Sequence, residues 1–480
     1  MSLKQKAIKG MSWAAIDVVV NQIIMFFIMA YLARILGPDS FGLIGMLAVF
    51  IAISQSLVDS GFSQALVQRS KRASDEDFST AFIINLCISL LLYMALFVAA
   101  PFIADFYDEQ QLVHVSRILF LVLVINALSL VANAKLAIKL DFRSVTLANS
   151  VSTLFGASLA VYLAVQDFEH WSLVFMSLLK ASLNALLLWW FCRWVPRFRF
   201  SINSCRELFG FGSKLLFAGL VAQVMNNLYV ILTGRYFNAT QVGYLTQSTQ
   251  LTQRASGVIS GVLQRVTYPV MTSVNDDRNR MVAIYKQLIE ASMLVALPAM
   301  AGFAAIAEPF VHLFLGDQWS PIIPVVIIMC FARVITPISS INLNILNAIG
   351  RSDLFLKVDL SKLPMGIVAV FVAAPYGVQA IAWAMLITSA VSFFINAYYP
   401  GKLFGFGALS QLAVAWKLVA ATTVMLAIIS LISSSSPAVE IVIKVFTGIL
   451  VYVIMLTILR VGMFTQNMRR VFDSVSERFN

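Results

Sequence analysis

Asp17 and Asn21 stand one helical turn apart in the first long apolar run, on one face with Trp13. Gln55 and Asp59 repeat that spacing in the second run. Further along, Gln247, Gln250, Arg254, Gly261 and Arg265 fall into a narrow helical stripe. Arg254 and Arg265 are eleven residues apart, about three turns. The run before it carries Gln223, Asn226 and Asn227, and Lys180 and Arg333 lie in the middle of two other apolar runs. An ionisable side chain near the bilayer centre costs about 2.5–3.5 kcal/mol, so such residues are expected to face water or a partner. Cations outnumber anions in this set. A guanidinium presents a fork of donors that fits phosphate oxygens, and Asn and Gln suit sugar hydroxyls. The chemistry expected is therefore recognition of an anionic, hydroxyl-rich ligand, with diphosphate the natural anion. Plainer roles compete with this one. Arg265 can snorkel to the nearer interface, as can Lys417 and Lys444, and Asp17 and Asp59 can neutralise nearby bases. Asp359 with Lys362, and Lys286 with Glu290, have the spacing of intrahelical ion pairs.

Covalent and metal chemistry find little support. Cys87, Cys192, Cys205 and Cys330 form no C-x-x-C pair, and His114, His170 and His312 lack spaced partners. No hydrolytic motif or Gly-rich phosphate loop occurs, so neither an enzyme nor a nucleotide hydrolase is expected, and no cofactor. The elements that must position the polar residues follow from composition. The 480 residues are 60% hydrophobic and only 12% charged, too few charges to cover a water-exposed surface. Mean hydropathy is +0.86. A spanning helix needs about 20 apolar residues, so about fourteen of them would use close to that apolar fraction. The expected fold is all-α: a polytopic membrane protein of 14 transmembrane helices with short loops and no soluble domain. The first span, about 11–33, is too long for the apolar part of a cleaved leader and is read as retained. The eighth, about 241–269, begins with a stretch too polar to face lipid.

Charge orients the chain. About two thirds of the 34 lysines and arginines fall on alternate loops, beginning with Lys4, Lys6 and Lys9, while Asp105, Asp108, Glu109, Asp167, Glu169 and Asp317 mark the opposite side. Both termini are then cytoplasmic, and the net charge of +11 is a topology signal rather than a nucleic-acid footprint. A weak internal repeat is also visible. Arg34-Ile35-Leu36 and Phe41-Gly42-Leu43 compare, at equal spacing, with Arg235-Tyr236-Phe237 and Val242-Gly243-Tyr244. Six helices separate the copies, so both keep one orientation. The expected organisation is two pseudo-symmetric six-helix bundles around a central cavity, at 1–200 and 201–402, followed by two extra transmembrane helices and a tail at 403–480.

These residues resemble those of lipid-linked oligosaccharide flippases of the multidrug/oligosaccharidyl-lipid/polysaccharide exporter superfamily, in the Wzx-type, colanic-acid-exporter branch. The resemblance rests on Leu32-Ala33-Arg34-Ile35-Leu36-Gly37, on the run from Asp59 to Arg69, on Tyr268 to Asp277, and on Gly316-Asp317-Gln318-Trp319-Ser320-Pro321. It implies a cationic cavity lined by helices one, two, seven and eight. It implies alternating-access transfer of undecaprenyl-diphosphate-linked oligosaccharide across the inner membrane of a Gram-negative bacterium, for surface polysaccharide assembly. Partners would be that substrate, membrane lipids, and the polymerase and chain-length machinery of the pathway. Coupling to H+ or Na+ is a feature of relatives for which no site is legible here. A cation-coupled multidrug-type antiporter is the alternative, set back by the arginine stripe and the helix count. A membrane-embedded polysaccharide polymerase stands third, since the external loops are short.

Overall fold

The computed structural model describes residues 3–59, 74–195, 200–272 and 277–465, leaving aside the side chains of 3–23, 59, 203–218, 258, 262–270 and 272. Every regular element among them is helical. Among the described residues, ten helices are long and apolar enough to cross a membrane, which makes this a multi-pass membrane protein. Outward apolar side chains such as Leu91, Phe102 and Phe446 are at least two-thirds exposed, as expected where the solvent is lipid. By contacts the chain divides into two compact units, Met1–Gly243 and Tyr244–Asn480.

The first unit opens with α1 (Leu3–Asp59), broken at Gly37, whose φ of 73° and ψ of 175° only glycine adopts readily. Pro38 then starts the second arm, where its missing N–H costs nothing. Next come α2 (Asp75–Tyr107), α3 (Leu112–Leu119), α4 (Leu121–Ile138), α5 (Phe142–Val165), α6 (Trp171–Cys192) and α7 (Ile202–Tyr236). Polar caps begin several of them. Ser74 and Asp77 form a reciprocal capping box at α2, and Asp141 accepts the Ser144 N–H at α5. The α3–α4 pair interrupts a stretch expected to be one helix, at Phe120. Helices α5 and α6 pack on each other, α1 packs on α5 and α7, and α2 on α4. The core gathers Leu43, Met46, Leu47, Tyr107, Leu119 and Phe120. At the ends of α2 and α4, Lys135 pairs with Asp75 at 3.1 Å and lies over the rings of Phe78 and Trp194.

The α7–α8 connection falls where the sequence suggests a repeat. A β-carbon on Gly42 would overlap the Ala239 carbonyl oxygen, and one on Gly243 would overlap that of Pro38. Pro38 and Ala239 are equivalent positions in the two copies, as are Gly42 and Gly243. The backbone contact is thus reciprocal, and the Thr240 hydroxyl donates to Asp39 across it at 3.3 Å.

The second unit takes most of α8 (Ala239–Thr272), then α9 (Arg278–Ala305), α10 (Ala307–Phe314), α11 (Ile323–Ala348), α12 (Ser352–Ala373), α13 (Val378–Phe404), α14 (Ala408–Ser430) and α15 (Pro437–Ile458). Its core runs from Tyr285 and Ile289 through Ile341 and Ile345 to Leu418, Met425 and Tyr452. It therefore includes α14 and α15. A buried polar triad ties α14 to α9 and α11. The Tyr285 hydroxyl donates to Asn342 Oδ1 at 2.6 Å, Asn342 Nδ2 donates to Gln411 Oε1 at 3.2 Å, and Gln411 Nε2 donates back to Tyr285 at 2.9 Å. All three residues are fully buried, so the closed ring satisfies groups that would otherwise be costly.

Candidate functional site

Helix α8 has two polar faces with different fates. Its packed face carries Ser248, Thr252, Ser256 and Ser260, all buried. Small hydroxyls bond to their own helix, Ser248 to Tyr244 O at 2.7 Å and Thr252 to Ser248 O at 2.8 Å, which lets α8 pack closely on another helix. That neighbour is α11: Thr249 meets the Met329 sulfur at 3.8 Å and Ser256 meets the Arg333 carbonyl at 3.5 Å. About 200° round the helix from Ser256 stands Arg254. It shares its face with Gln250, Gly257 and Gly261, which are exposed. Nothing lies within 4 Å of where β-carbons of Gly257 and Gly261 would be. Gln250 Oε1 accepts from Arg254 Nη2 at 3.2 Å, which orients the guanidinium along this open face. A half-exposed guanidinium, an exposed amide and two bare glycines make a strip that a phosphate or sugar can approach down to the backbone.

The other candidate residues are distributed as follows. Gln247, expected on the open stripe, is only 6% exposed and turned inward. Arg333 is half-buried on α11, with no ion pair among the described residues. Lys180 is half-buried on α6, where that helix packs closely on Gly156 of α5. Gln55 accepts a hydrogen bond from Asn126 of α4 at 3.3 Å, so part of its capacity ties α1 to α4. Asn226 is exposed on α7, while Asn227 beside it donates to the Gln223 carbonyl at 2.8 Å. The side chains of Asp17, Asn21, Asp59 and Arg265 lie outside the described residues. No group of metal-ligating side chains occurs among the described residues.

One expected pairing holds, one does not, and one residue expected to snorkel pairs instead. Lys362 pairs with Asp359 at 2.7 Å. Lys286 does not pair with Glu290; it lies over the Phe406 ring at 5.4 Å, because Phe406 packs against the Tyr285 triad next to it. Lys444 does not snorkel. It is 9% exposed, pairs with Glu440 at 2.6 Å and donates to Ala305 O at 3.3 Å. That pair belongs to a feature hydropathy does not reveal, an apolar groove of 550 Å³ bounded by α9, α14 and α15. Leu294, Pro298, Phe303, Met425, Gly448 and Tyr452 are among its walls, and Lys444 is its one charged residue.

Comparison with known proteins places this geometry. Residues 31–324 match the family described as polysaccharide biosynthesis protein. The chain belongs to this family. Similar members include the teichuronic acid biosynthesis protein TuaB of Bacillus subtilis, 25% identical over 403 residues and 83% of each chain. The lipopolysaccharide biosynthesis protein WzxC of Escherichia coli is 24% identical, over 75% of this chain and 74% of its own. The succinoglycan biosynthesis transport protein ExoT of Rhizobium meliloti is 23% identical, over 69% and 67%. Among solved structures, the lipid II flippase MurJ in an inward closed conformation aligns with a TM-score of 0.74 at 15% identity, covering 92% of this chain and 98% of MurJ. An inward-facing multidrug resistance transporter of the MATE family aligns at 0.62 and 17% identity, covering 82% of this chain and all of that one. This polysaccharide biosynthesis protein thus shares the fold of known transporters.

Proposed function

We propose that this protein transfers undecaprenyl-diphosphate-linked oligosaccharide units from the cytoplasmic to the periplasmic leaflet of a bacterial inner membrane, for assembly of a surface polysaccharide. The observation that carries the reading is the open face of α8, with Arg254 held by Gln250 above Gly257 and Gly261. Such a face is too polar for acyl chains and has the donors a lipid-linked diphosphate sugar requires. The apolar groove beside Lys444 supports the same substrate, since an isoprenoid chain needs a long hydrocarbon-lined seat. Family membership and the names of relatives point the same way. On this reading α1 crosses the membrane twice, on either side of Gly37, and α7, α8 and α12 cross as well. The ten apolar helices then become fourteen, in two six-helix bundles and a terminal pair, with both termini cytoplasmic. Arg265, Asn226, Asp17, Asn21, Asp59, Lys180 and Arg333 would line the water-filled path, which opens to one side at a time. Delivery of the unit to the polymerase and chain-length machinery would follow.

The multidrug-type antiporter reading draws on the MATE-like fold, but the open face of α8 offers a guanidinium rather than the carboxylates a cationic drug would need. The deciding experiment is deletion of the protein with analysis of lipid-linked glycans by leaflet. Accumulation of one undecaprenyl-linked unit on the cytoplasmic leaflet, reversed by the wild-type chain, is expected. Unchanged glycans with altered drug efflux would favour the antiporter.

A further inference from the structure

Away from α8, helices α12 and α13 enclose an open groove of 430 Å³. Lys357 and Ser361 stand one turn apart on its α12 side, and Phe394, Ile395, Tyr398 and Tyr399 form its α13 side. Its depth follows from helix rise. Lys357 is the sixth residue of α12 and Tyr398 the sixth before the last residue of α13, so each lies about 8–9 Å from its helix end. That is the level of the polar interface and the upper acyl chains. Phe394 and Ile395 lie about 14 Å in, at hydrocarbon depth. The groove is thus graded, with ammonium and phenol hydroxyls at the rim and an aromatic-aliphatic wall below.

Charge decides what fits. Nearby, Lys362 pairs with Asp359 at 2.7 Å and Arg351 with Asp353 at 2.8 Å, while Lys402, one turn beyond Tyr398 on α13, has no ion pair among the described residues. Lys357 has neither an ion pair nor a hydrogen bond among the described residues, and the Tyr398 and Tyr399 hydroxyls make no hydrogen bond there. Tyr398 is 61% exposed. From this placement we infer that the α12–α13 groove is a binding site for an anionic bilayer phospholipid, its phosphodiester on Lys357 and Tyr398 and one acyl chain along Phe394 and Ile395. Lys357 is the one charged residue in the groove's lining, and its ammonium matches a singly charged phosphodiester. Its lining lies on α12 and α13, apart from the open face of α8, and its occupant does not depend on the transported substrate.

The test is native mass spectrometry of the full-length protein in detergent with phosphatidylglycerol, phosphatidylcholine or undecaprenyl diphosphate added. The wild-type chain is expected to retain phosphatidylglycerol over phosphatidylcholine. Lys357→Ala should lower that preference about fivefold with phosphatidylcholine binding unchanged, Lys357→Arg should keep it, and Tyr398→Phe should reduce it partly. An unchanged preference in Lys357→Ala overturns the site. Displacement of phosphatidylglycerol by equimolar undecaprenyl diphosphate, dependent on Lys357, overturns the choice of occupant. Lys357 is exposed, so its variants should fold; if the alanine form fails to, Lys357→Gln gives the same reading.

Discussion

At the scale of residues, Arg254 is the side chain on which transport should depend most. Its charge-assisted bonds to a phosphate are worth about 1.5–3 kcal/mol, so Arg254→Ala should lower transport about ten- to hundredfold. Arg254→Lys should recover part of that, because it restores the charge without the fork. Surface polysaccharide and the cytoplasmic pool of lipid-linked precursor, at equal membrane abundance, measure both. Glu109, in the turn between α2 and α3, makes a pH prediction. Burial lifts its carboxyl above the ordinary 4.5, Asp39 and Asp108 add repulsion, and a hydrogen bond with the Ala239 backbone opposes the rise. A raised folded value means the fold holds this proton more tightly than the unfolded chain does. Its contribution favours folding below about pH 4.5 and is lost as pH rises through the raised value. The melting temperature of the wild type relative to Glu109→Gln should therefore fall between about pH 4 and pH 8 in thermal scans of purified protein.

The elements depend on a few contacts no propensity discloses. The reciprocal approach of Gly42 to Ala239 and of Gly243 to Pro38 leaves no room for a methyl group. Gly42→Ala or Gly243→Ala should cost about 1–3 kcal/mol of stability through overpacking. Gly257→Ala and Gly261→Ala have open space and should be neutral or up to about 1 kcal/mol stabilising, as alanine favours helix. Melting temperatures of the four variants at one lipid composition separate the cases. The Tyr285–Asn342–Gln411 ring behaves differently, because removing one member leaves buried partners unmet. Gln411→Leu should destabilise by about 1–3 kcal/mol, read as a loss of folded, monodisperse protein on heating. The sequence showed the repeat and the polar run of α8. It could not show that Thr249 and Ser256 face α11 while Arg254 faces away, since both faces of α8 are polar and periodicity cannot rank two polar faces.

Across the whole molecule, the proposed function would have the apolar groove bounded by α9, α14 and α15 seat the isoprenoid chain, which links the terminal helices to transport. Gly448 lines it, and a β-carbon there would sit at ordinary contact distance from Ile429 and Met425. A larger side chain should therefore fold and intrude on the groove. Gly448→Leu is expected to lower transfer of an undecaprenyl-linked unit at least about tenfold, because several buried methylenes of the chain lose their seat. Transfer of the same sugar on a short prenyl chain should be nearly unchanged. Equal losses with both lipids in a reconstituted assay would remove the groove from the mechanism.

Composition and charge by themselves determined that this chain is an all-helical, multi-pass membrane protein without a soluble domain. Sixty per cent apolar residues and 12% charged leave no other solvent for its surface, and spanning helices follow from backbone hydrogen bonding in lipid. Motif runs from Leu32 to Trp319 carried the resemblance to polysaccharide transporters, and the family match covers 31–324. Tertiary structure alone decided which polar side chains stay open. It turned Gln247 inward and left Gln250 outward, tied Gln55 to Asn126 and buried Lys444 against the Ala305 carbonyl. Each of these outcomes depends on a partner distant along the chain, and helical spacing records only neighbours within a turn or two.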